Sequence, residues 1–188
     1  MNKFVKNNHR PHHIYDAQWY FVTGRTYEGI HYFDTHSRKQ IFIKKLKVVT
    51  QSLDIGIISW SLLSNHYHAL LRFEKERAVN GRPVLSEFFR LLHSQVSSTV
   101  NQLDRVKGRK IWYQYWDYCL RSKKDFGAHF NYILQQPLKH GIVKTLRAAY
   151  DYPYSSNPVW LERLSEDGLW ESFLQNPIKD WTPSEGCE

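Results

Sequence analysis

At 188 residues, 41% of them hydrophobic, the chain is about one domain long and has enough apolar side chains to bury a core. Lysine and arginine (26) outnumber aspartate and glutamate (18), leaving a net charge of +8, and 15% of residues are aromatic, a balance suited to a surface that meets phosphates and stacks bases. Cys119 and Cys187 stand far apart in no Cys-x-x-Cys spacing, which excludes a structural zinc site and leads us to expect reduced thiols in a cytoplasmic protein. The longest apolar run, 55–63, is too short and too broken by Gly56, Ser59 and Ser61 to span a bilayer, so no membrane is expected as a partner. The basic start lacks the apolar stretch of a signal peptide.

In chain order, residues 1–16 form a polar, basic arm with Arg10, His12 and His13, readable either as a frayed terminus or as a DNA-contacting lead. Residues 19–26 are aromatic and β-branched and read as a strand. From 35 to 53, Ile41, Phe42, Leu46, Val49 and Leu53 recur at helical spacing, with the interleaved lysines on a solvated face. Residues 57–63 and 66–73 are strand-like runs joined at Ser64-Asn65, a hairpin. The charged stretch 74–83 reads as a loop, and Ser86 as the cap of a helix over 87–103. Residues 111–121 read as an aromatic strand. Ser122, with Asp125 three residues on, starts a helix that Pro137 should kink or end. The remainder is polar and irregular after Gly141, with a tail that packs back as a short helix near 165–174 or covers a groove. This βαββαβα order predicts an α+β fold, an antiparallel sheet with packed helices.

Two stretches carry candidate chemistry. In a strand, His66 and His68 share one face at roughly 6–7 Å, with Tyr67, Ala69, Leu71 and Phe73 on the other. A His-x-His pair alone fits a polar sheet face as well as it fits a divalent-ion grip. On the helix after Ser122, Phe126, Phe130, Ile133 and Pro137 fall on one face, while Asp125, His129, Tyr132 and Gln136 line an adjacent stripe. A tyrosine on such a stripe is either an amphipathic surface residue or a nucleophile. His129 is expected to face solvent.

Read together, Asn65-His66-Tyr67-His68 and Tyr132-Ile133-Leu134-Gln135-Gln136-Pro137-Leu138-Lys139-His140-Gly141-Ile142-Val143 resemble the paired signatures of the single-tyrosine HUH transposases, of the REP-associated and insertion-sequence kind. Phe21-Val22-Thr23-Gly24-Arg25-Thr26, the run from Trp112 through Trp116-Asp117 to Leu120-Arg121, and Tyr152-Pro153-Tyr154-Ser155-Ser156 are similar to further family stretches. The resemblance spans roughly 14–157. It departs at Ser64, where many relatives have proline, and at Gln136, where near relatives have asparagine. An amide oxygen from either residue suits Mg²⁺ or Mn²⁺.

The resemblance implies a ferredoxin-like HUH core, with the chain divided into the arm (1–16), a catalytic core (17–145) and a C-terminal extension (146–188). It implies Tyr132 as nucleophile, His66, His68 and Gln136 as ligands of Mg²⁺ or Mn²⁺, and Arg10, His12, His13, Arg25 and Lys139 as DNA contacts. The expected substrate is single-stranded DNA beside a hairpin, cleaved and rejoined through a 5′-phosphotyrosine. Two rival readings stay open, a replication or conjugation initiator nickase of the same chemistry and a DNA-binding module that no longer cuts. No P-loop is present, which excludes only an attached helicase. A homodimer is left open.

Overall fold

The computed structural model describes residues 18–74 and 78–178; Arg10, His12, His13 and Cys187, and the expectations placed on them, lie outside the described residues. Four strands form an antiparallel sheet in the order β2-β3-β1-β6: β1 is Gln18–Arg25, β2 Gly56–Leu62, β3 His66–Phe73 and β6 Trp116–Cys119. Helices α1 (His36–Ser52) and α2 (Val84–Leu103) cover one face and α3 (Lys123–Leu134) the other. The expected α+β architecture is therefore the one found.

The two faces follow from the period of two along each strand. Tyr20, Val22, Tyr67, Ala69, Leu71 and Phe73 point into the core built with Phe42, Leu46 and Val49 of α1 and Phe88, Leu92, Val96 and Val100 of α2. Phe21 and Leu70 point the other way, onto Phe130, Ile133 and Leu134 of α3. Gly24 has no side chain because Tyr67 crosses it: a Cβ there would lie 2.2 Å from the tyrosine ring.

Ser122 caps α3 by accepting from the Asp125 amide, as expected, and Thr35 caps α1 by accepting from the Arg38 amide. Elsewhere the local reading is corrected. The predicted strand over 111–121 shrinks to Trp116–Cys119, because Ile111 and Trp112 turn into the core, where Trp112 stacks on Phe33 and His93. Ser86 caps nothing; α2 starts two residues earlier, behind Pro83, whose ring holds φ at −51°. The expected loop over 74–83 contains a small ladder, β4 (Ala78–Val79) and β5 (Arg82–Pro83), turned through Asn80 and Gly81, both at positive φ.

Beyond Gly141 the chain is more ordered than its composition suggests. Helix α4 (Gln136–Lys139) is followed by α5 (Leu146–Tyr150) and α6 (Asn157–Gln175), which is broken at Ser165 (φ 61°). The short helix expected near 165–174 is the second half of α6. Between α5 and α6 the chain latches onto β2: the Leu62 amide donates to Tyr154 O, the Ser156 amide to Trp60 O, and Trp160 Nε1 to Ile58 O. Among the described residues no helix is long and apolar enough to cross a membrane.

Candidate active site

The site lies where the α3 face of β3 meets the break between α3 and α4. Strand alternation puts His66 and His68 on that face, their rings 5.2 Å apart. Each ring is held from behind through Nδ1: His66 meets Asn65 Oδ1 at 2.7 Å and His68 meets Thr23 Oγ1 at 2.8 Å. Asn65 Nδ2 donates to Gly29 O, which orients the amide so that its Oδ1 can only accept. His66 Nδ1 therefore carries the ring proton and Nε2 keeps its lone pair. A partner on the far nitrogen that fixes tautomer and orientation is what metal-binding histidines commonly have.

Burial, and then the neighbouring charges of His140 and Arg25, push the His66 pKa down to about 4. Burial, followed by His66 and His140, holds His68 well below the usual histidine value. Both imidazoles are neutral at pH 7, the form that ligates metals.

Pro137 supplies the next part. It has no amide to donate, so regular helix bonding fails at the end of α3, and side chains take over its last carbonyls. Gln136 Nε2 donates to Tyr132 O at 2.9 Å and Asn157 Nδ2 to Leu134 O at 2.6 Å. With its nitrogen so committed, Gln136 turns Oε1 toward the histidines, where it favours the charged form of each, a smaller effect than their burial. Gln136 is 0% exposed, and Oε1 has no hydrogen-bond partner among the described residues. A buried acceptor without a donor costs about 1–3 kcal/mol unless something not shown by the protein chain satisfies it. Two neutral imidazoles and an orphaned amide oxygen fit a divalent cation of the Mg²⁺ or Mn²⁺ kind. No cluster of three His, Cys, Asp or Glu side chains suited to a metal occurs among the described residues.

Tyr132 sits one turn before Gln136 on α3. Its ring is 5.2 Å from that of His68, edge to face, and Lys139 Nζ lies 4.5 Å from the ring centre. Phe21 is the packing hub, with ring centroids 5.3 Å from His68, 5.7 Å from Tyr132 and 4.7 Å from His129. Arg25, exposed at the end of β1, pairs in register with His66.

The fold thus brings Tyr132, His66, His68, Gln136, Lys139 and Arg25 to one place. His129 is not solvent-facing as expected: its ring stacks on Tyr118 and its Nδ1 meets Asp125, because β6 lies beside α3. Sequence reasoning also passed over Thr23, Phe21 and His140, whose ring is 4.7 Å from that of His66. Thr23 and Phe21 sit within the family-like run on β1 and His140 within the tyrosine motif, so their signal was position in a motif rather than spacing.

The sheet thus sets a His-x-His strand beside a tyrosine-bearing helix. The chain is similar to two REP-associated tyrosine transposase sequences. A protein of Haemophilus influenzae named for that family is 27% identical over 99 residues, a match covering 50% of this chain and 54% of the relative, so the chain spans about half the length of that protein. The REP-associated tyrosine transposase of Escherichia coli is 22% identical over 151 residues, 80% of this chain and 82% of the relative. Among solved structures, a REP-associated tyrosine transposase bound to a REP hairpin shares the fold, with a TM-score of 0.61 and 21% identity, over 100% of this chain and 98% of that one. No family model matches the chain.

Proposed function

We propose that this protein cleaves and rejoins single-stranded DNA beside a hairpin, using Tyr132 as nucleophile and Mg²⁺ or Mn²⁺ held by His66, His68 and Gln136. The observation that carries the reading is the buried, unpartnered Oε1 of Gln136 turned toward two neutral histidines, one helical turn from a tyrosine. When bound, the cation supplies Lewis-acid polarisation of a phosphate. The rest is the work of the chain. The Tyr132 oxygen forms a bond to phosphorus as the bond from phosphorus to the 3′ oxygen breaks; solvent takes up the phenolic proton and supplies the proton with which the 3′ oxygen leaves as a hydroxyl. The product is a 5′-phosphotyrosyl link, which conserves the bond for rejoining and needs no nucleotide cofactor.

Lys139 stands beside the tyrosine, where it neutralises the phosphate being attacked, and Arg25 holds the backbone nearby. Phe21 and His68 keep the Tyr132 ring from rotating away from the cleft. The solved neighbour holds a REP hairpin, and we assign the same substrate class here.

Incubation of the protein with hairpin-flanked single strands and Mn²⁺ should give a protein–DNA adduct that survives denaturation. Tyr132→Phe should abolish the adduct while leaving DNA affinity nearly unchanged, since only the nucleophile is lost. Cleavage that persists in Tyr132→Phe would show that water or another side chain attacks, and binding without any adduct in the unaltered protein would leave a DNA-binding module.

A further inference from the structure

The edge of the sheet beside this site presents a row of rings that the chemistry above does not use. Trp116 pairs in register with Thr23 of β1, and Thr23 with His68 of β3, so all three share one face. At roughly 4.8 Å per strand, Trp116 stands two strands, about 10 Å, from His68. Its indole is 5.9 Å from the Phe21 ring that also supports Tyr132 and His68.

Trp116 is 53% exposed although it lies on the face that α3 covers farther along. Behind it the rings run in parallel: Trp116 on Tyr118 at 6.0 Å and 2°, and Tyr118 on His129 at 5.4 Å and 22°. The stack is closed at the helix end and open at the tryptophan. A single exposed aromatic ordinarily needs no explanation. This one ends a prebuilt stack, held by an edge strand, on the face shared with the candidate nucleophile.

The charges around it select the occupant. Arg25 is exposed on the same face of β1, two residues beyond Thr23, and Lys139 borders Tyr132. Farther along the same edge, exposed Tyr113 and partly buried Tyr27 flank Lys110, whose Nζ lies 4.6 Å and 5.5 Å from the two ring centres of Tyr27 and Tyr113. Aromatic faces interleaved with cations are complementary to unpaired bases on a phosphate backbone, since every base has a face to stack whatever its identity.

We propose that Trp116, backed by Tyr118, is the seat for an unpaired base of the strand next to the scissile phosphate, so that stacking there sets the phosphate before Tyr132. This rests on the reading of the protein as a single-strand DNA transferase. Trp116 is a positioning residue; it touches the DNA but not the reacting atoms.

The test uses full-length protein carrying Tyr132→Phe, so that the DNA stays intact, with two probes: a hairpin with a single-stranded tail and the same hairpin with blunt ends. Adding Trp116→Ala should weaken binding of the tailed hairpin by about 5- to 150-fold, the range of one lost base stack. Affinity for the blunt hairpin should not change, which also shows that the variant is folded. Trp116→Phe should restore most of the loss. With 2-aminopurine placed at successive tail positions, one position should be quenched on binding and recover its fluorescence in Trp116→Ala. Equal affinity of the Trp116→Ala and parent proteins for the tailed hairpin would overturn the inference while leaving the transferase reading intact. An equal loss for both hairpins would also overturn it, assigning Trp116 to the duplex or to folding. Failure of the parent protein to bind either probe would overturn both.

Discussion

His93 shows how far a single residue can be drawn into the core by its neighbours. It stacks on Trp112 at 4.5 Å, its Nε2 meets the Tyr67 hydroxyl at 2.9 Å, and burial pushes its pKa down to about 3. The unfolded chain, with a histidine near 6.5, takes up the proton first, so His93 favours folding fully above that value and the advantage is lost as pH falls from about 6.5 toward 3. The slope this group adds is at most about 1.4 kcal/mol per pH unit. Urea unfolding of His93→Gln across that window should show a shallower pH dependence than the unaltered protein, whatever the variant's absolute stability. Parallel curves would show that the other buried histidines carry the whole effect.

At the level of elements, the helix bearing Tyr132 is held in place by the segment that composition made hardest to read. Asn131, beside the tyrosine and 1% exposed, donates through Nδ2 to Ser172 O at 2.9 Å and Asn176 O at 3.0 Å, and its Oδ1 accepts from Ser172 Oγ at 3.2 Å. These bonds tie α3 to the end of α6. Asn131→Ala removes the donor to Asn176 O and the acceptor of Ser172 Oγ, while Ser172 O keeps the Asn176 amide, and the unfolding free energy should drop by about 1–3 kcal/mol in a denaturant titration. A variant as stable as the parent would mean that water replaces the amide and that α6 is not a brace for the tyrosine helix.

Across the whole molecule the dominant property is charge. With a net +8, the protein should bind DNA with a strong salt dependence, and the cations nearest the candidate site should account for part of it. If Arg25 and Lys139 each meet one phosphate of a single strand, Arg25→Gln with Lys139→Gln should flatten the slope of log affinity against log salt by about 1.4, roughly 0.7 per contact. An unaltered slope would remove both residues from the DNA interface. Their loss should weaken binding more than it slows the chemical step only for Arg25, because Lys139 borders the tyrosine itself.

What the sequence by itself determined is local and periodic. Alternation along 66–73 was enough to set two histidines against an apolar back, Ser122 with Asp125 was enough to start α3, and Pro137 was enough to stop it, because each of these depends on backbone geometry within a few residues. The local reading failed where side chains answer to distant partners. Residues 111–115 have the composition of a strand, but Ile111 and Trp112 turn into the core, where Trp112 stacks on Phe33 and His93, and His129 is sheltered by β6, which no spacing on its own helix could reveal. Only the tertiary structure decided that Gln136 turns its oxygen to the histidines, that Thr23 and Asn65 hold those rings from behind, and that Trp116 stands exposed in their row. The hold of Thr23 on His68 depends on pairing β1 with β3, and the place of Trp116 in the row on pairing β1 with β6, contacts that join residues as far apart as Thr23 and Trp116 and leave no mark in the sequence near either.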